Sequence, residues 1–91
     1  RGRMTDEESL ILARQADGVM ENPAVKQAFE DIESHYTSLW KSSGPSEYEL
    51  REECHVQLYA LAQFRRQLRS YLETGKLLSA ASQNQASVGH E

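Results

Sequence analysis

The chain reads as an all-α protein of three helices. Apolar residues recur three and four positions apart over long stretches, the helical period rather than the alternation of a strand. Helix-start signals stand in front of each stretch. Turn formers gather at two places only, Asn22-Pro23 and Ser42-Ser43-Gly44-Pro45-Ser46.

The first helix is expected to begin at Thr5. Thr5 and Glu8 have the spacing of a capping box, and Asp6 and Glu7 suit the positive end of the helix dipole. Leu12, Ala16, Val19 and Met20 make its apolar face, and its end falls between Asp17 and Glu21, with Gly18 a possible cap. The second helix takes Asn22 as N-cap and Pro23 as its first residue. Its stripe is Val25, Phe29, Ile32, Tyr36 and Leu39, with Trp40 at the end. The third helix has a second capping box in Ser46 and Glu49, then Leu50, Cys54, Leu58, Leu61, Leu68 and Leu72, widened by Phe64 and Tyr71. Gly75 is expected at C′, so residues 47–74 would span roughly 42 Å.

Ninety-one residues suit one small domain with a marginal core. The expected organisation is a scar left by cloning at 1–3, a helical domain over 4–78 and a disordered tail over 79–91, which has no period and no aromatic residue. Fourteen acids against ten bases give a net charge of −4, poor for general nucleic-acid binding. The single cysteine excludes an internal disulfide and suits a reducing compartment. No apolar run approaches the roughly 20 residues that cross a bilayer, so no membrane partner is expected.

The loop 42–46 predicts that the second and third helices form a long antiparallel hairpin, closed by Trp40 and Tyr48 near the loop. The far part of the third helix then extends beyond the second. Phe64, Leu68, Tyr71 and Leu72 are the expected interface of a homo-oligomer.

Little in the chain suggests catalysis. Glu52 and His55 have the Glu-x-x-His spacing of di-iron bundles, but such sites need a second pair and further glutamates. Cys54 and His55 are adjacent, so on a helix they point about 100° apart and cannot act as nucleophile and base. Cys54 instead continues the apolar stripe. His35 and Glu33 could meet at a metal only by accident of folding. No phosphate-binding glycine loop is present: Thr74-Gly75-Lys76 follows a helix, not a strand. No catalytic, cofactor-binding or metal-binding residues are therefore assigned, and no enzyme is expected. Arg65, Arg66, Arg69 and Lys76 make the end of the third helix basic, against Glu47, Glu49, Glu52 and Glu53 at its start. That patch reads either as a solvated face complementing the helix dipole or as a site for phosphate or an acidic partner.

Asn22-Pro23, Ala28-Phe29, the run Tyr36 to Trp40, Arg51-Glu52, and Arg69 to Leu72 followed by Thr74-Gly75-Lys76-Leu77 together make the chain resemble a family of proteins. These are the small helical proteins of tailed bacteriophages and prophages encoded in the head and DNA-packaging module, near terminase and portal genes. The resemblance covers roughly Thr5 to Leu78 and includes no catalytic motif. It implies a viral protein of virion assembly or DNA packaging, in the cytoplasm of the bacterial host or in the virion, with other phage structural or packaging proteins as partners. The expected function is a non-enzymatic, self-associating protein–protein interaction module. The alternatives are a DNA-binding packaging subunit like a small terminase, or an acidic inhibitor of a host enzyme that acts on DNA.

Overall fold

A computed structural model describes the backbone of residues 4–89 and the side chains of residues 4–81. Three helices follow one another: α1 (Asp6–Glu21), α2 (Pro23–Ser42) and α3 (Tyr48–Gly89), with no strand among the described residues. The fold is all-α.

The first two helix starts follow from local chemistry. The Thr5 amide donates to Glu8 Oε1 at 2.9 Å, and the Glu8 amide donates back to Thr5 Oγ1 at 3.1 Å. Asn22 Oδ1 accepts from the amides of Ala24 and Val25, at 2.8 and 3.2 Å, and Pro23 has no amide hydrogen to leave unpaired. The third start differs from the expected Ser46–Glu49 box. Here Glu47 turns back, with Oε1 accepting from the Gly44 amide at 2.6 Å, while its carbonyl accepts from the Arg51 amide at 3.0 Å. The carboxylate that reaches back is thus Glu47, onto Gly44, and not Glu49 onto Ser46.

Gly75 does not end α3. No glycine among the described residues has the positive φ that a C′ glycine takes. A Cβ placed on Gly75 would collide with the Cβ of Ala13. The glycine is there so that two helix backbones can approach closely. Helix α3 therefore runs on to Gly89, through most of the stretch expected as a disordered tail; residues 90–91 lie outside the described residues, as do 1–3, where the cloning scar was expected. Gly18 likewise lies inside α1.

The stretch read as one domain divides into two compact units, Arg1–Met20 with Gln67–Glu91, and Glu21–Arg66. The first holds α1 with the later part of α3; buried Ala13, Ala16 and Leu68 belong to it. The second holds α2 with the earlier part of α3, and buries Phe29 and Cys54. Around them Val25, Tyr36, Leu39, Leu50, Leu58 and Leu61 are half-buried, as their helical spacing requires. Ile32, expected in the α2 stripe, is exposed.

Candidate functional site

In the Glu21–Arg66 unit, α2 and α3 form a helical hairpin fastened by two arginines of α3. Arg51 lies over the Trp40 ring, 4.3 Å from its centroid, and its Nη1 donates to Ser43 Oγ at 2.8 Å. Arg65 lies over Phe29 at 4.6 Å, and its Nη1 donates to Glu33 Oε2 at 3.2 Å. Phe64 brings its ring to 5.9 Å from that of Phe29. Later residues of α3 thus meet earlier residues of α2. Arg51 and Arg65 fall in register with Cys54, Leu58 and Leu61, so each lays its apolar stem along the packed side and its guanidinium on an aromatic face. The expected closure of Trp40 on Tyr48 gives way to this arrangement: Trp40 sits under Arg51, and Tyr48 is 76% exposed.

The opposite side of the same part of α3 is uncovered. Tyr48, Glu52, His55, Val56, Tyr59, Ala60, Gln63 and Arg66 are all exposed. The middle of this face is ordered by its own contacts. The His55 and Tyr59 rings stack with centroids 6.5 Å apart, Gln63 Nε2 donates to Tyr59 Oη at 3.3 Å, and Arg66 Nη1 donates to Gln63 Oε1.

The four residues expected to form an oligomer contact fare differently. Leu68 is only 9% exposed, Tyr71 and Leu72 are half-buried, and Phe64 is 56% exposed. Leu68 is covered within the chain and does not stand at the surface as the expectation required. In the basic patch, Arg65 is engaged with Glu33 and Phe29. Arg66, Arg69 and Lys76 are exposed and form no ion pair among the described residues.

Groups that could do chemistry are scattered. Cys54 is fully buried, whereas Glu52 and His55 are exposed. Glu33 faces Arg65, and His35 stands edge-on to Tyr36, ring centroids 4.9 Å apart. No three metal-ligating side chains converge among the described residues. In the other unit, a groove of about 670 Å³ is lined by Leu10, Ala13, Leu72 and Gly75, with Arg14, Asp17 and Lys76 beside them. Its charged side chains are of both signs, Arg14 and Lys76 against Asp17. No helix among the described residues is long and apolar enough to cross a membrane.

Sequence reasoning missed two things here. Arg65 is expected only as part of the basic surface patch, and no packing role is expected of Arg51. The packing expected of Tyr48 is the other: Tyr48, with His55 and Tyr59, falls on the side of α3 away from Cys54 and Leu58, a signal that the helical register already contains.

Comparison of the chain with protein-family models, curated proteins and solved structures finds no match.

Proposed function

We propose that the chain is a non-enzymatic protein–protein interaction module that associates with itself, serving in tailed-phage virion assembly or DNA packaging. The observation that supports the interaction is the imbalance between core and surface. Among the described residues the buried apolar ones are Ala13, Ala16, Phe29, Cys54 and Leu68, three of them small. Against these, Trp40, Tyr48, Val56, Tyr59, Phe64 and Leu77 are all exposed, each to 44% or more. A domain with so little interior gains most from burying such side chains against another copy. The phage assignment rests on the resemblance of the segments from Asn22 to Leu77 described above.

The test is the absolute mass in solution by light scattering, followed over concentrations up to about 1 mM, where even weak association shows. A mass of two or more chains is the expected result. A single-chain mass throughout would reject self-association. For the DNA-binding alternative, Arg66, Arg69 and Lys76 are the cations at hand, and a salt-dependent shift with duplex DNA would bring it forward instead.

A further inference from the structure

We propose that the exposed face of α3 from Glu52 to Arg66 is a two-fold contact with a second copy of this chain, the two α3 helices running antiparallel across it. This rests on the self-association proposed above and names the surface that performs it.

Tyr59 stands at the centre of the face. His55 lies four residues before it and Gln63 four after; Glu52 lies seven before and Arg66 seven after. Offsets of four and seven keep side chains on one side of a helix. A half-turn about an axis through Tyr59 therefore sets Glu52 against Arg66 of the second copy, and Arg66 against its Glu52. His55 then meets Gln63, and Tyr59 meets its own equivalent. Such a surface is complementary to itself, as a two-fold interface must be. Parallel alignment would oppose glutamate to glutamate and arginine to arginine, so the order of charges selects the antiparallel one.

The centre is suited to contact. Tyr59 is 58% exposed and Val56 49%, with the small Ala60 and Ala62 also exposed on that side. Small side chains let a second helix approach. The His55 stack and the Gln63 hydrogen bond already hold the Tyr59 ring in place, so less freedom is lost on docking. Nucleic acid is a poor occupant, because Arg66 is the single cation among these residues and Glu52 and Glu49 lie nearby.

The residues to be changed are exposed, so folding is expected to survive each substitution. Tyr59→Cys should oxidise to a disulfide-linked dimer, since the two-fold axis brings the position onto itself. Ser34→Cys, exposed on α2, should not, and the unaltered chain is a blank because its own Cys54 is buried. Glu52→Arg and Arg66→Glu should each weaken the dimer about tenfold, as symmetry repeats the pair. The double reversal should restore it to within about threefold. A chain that stays single at every concentration overturns both this surface and self-association. An oligomer that neither cross-links at position 59 nor responds to charge reversal overturns this surface alone.

Discussion

Cys54 is fully buried in the α2–α3 hairpin, a thiol used as a small apolar group. Cys54→Ala removes one sulfur from a tight place and should cost about 1 kcal/mol by chemical denaturation. Cys54→Ser has nearly the same shape but buries a hydroxyl, and should cost about 1–3 kcal/mol. If serine proves no worse than alanine, a hydrogen-bond partner reaches position 54. This residue was legible in the sequence because it continues the Leu50–Leu58–Leu61 period. Arg51 and Arg65 share that period and were not read as packing residues. Charge outweighs position when a sequence is read for burial, yet a guanidinium can lie flat on Trp40 or Phe29 with its stem among apolar neighbours.

Among the elements, helix starts were easier to read than helix ends. A cap such as Thr5 or Asn22 works through residues two or three positions away, so the sequence contains the whole interaction. Gly75 is different, because its meaning depends on Ala13 in another helix, and the local sequence Thr74-Gly75-Lys76 looks the same whether the helix stops or continues. The two helical glycines with opposite surroundings give a paired test. Nothing lies near a Cβ placed on Gly18, so Gly18→Ala should stabilise by about 0.5–1 kcal/mol through helix propensity alone. Gly75→Ala gains the same propensity but pushes Ala13, an overpacking cost of about 1–3 kcal/mol, and should destabilise. Both changes raising the melting temperature would mean that α1 yields readily and the close approach is not needed.

For the molecule as a whole, the stripe on α3 pointed correctly to which residues are apolar but not to what covers them. Leu68 shows the difference. Its place beyond the expected reach of α2 makes it look like an interface, whereas it is one of five buried apolar residues among those described. Phe64, four residues earlier, remains 56% exposed although its ring meets Phe29. A glutamate at each position separates the two roles. Leu68→Glu forces a carboxylate into a buried place and removes core volume, so it should cost about 3 kcal/mol or more and lower the melting temperature sharply. Phe64→Glu leaves its charge in water and should cost less, the loss being mainly its contact with Phe29. Melting curves and solution mass, measured together on both variants, decide it. A Leu68→Glu chain that melts like the unaltered one but has a smaller mass would return Leu68 to a contact between copies.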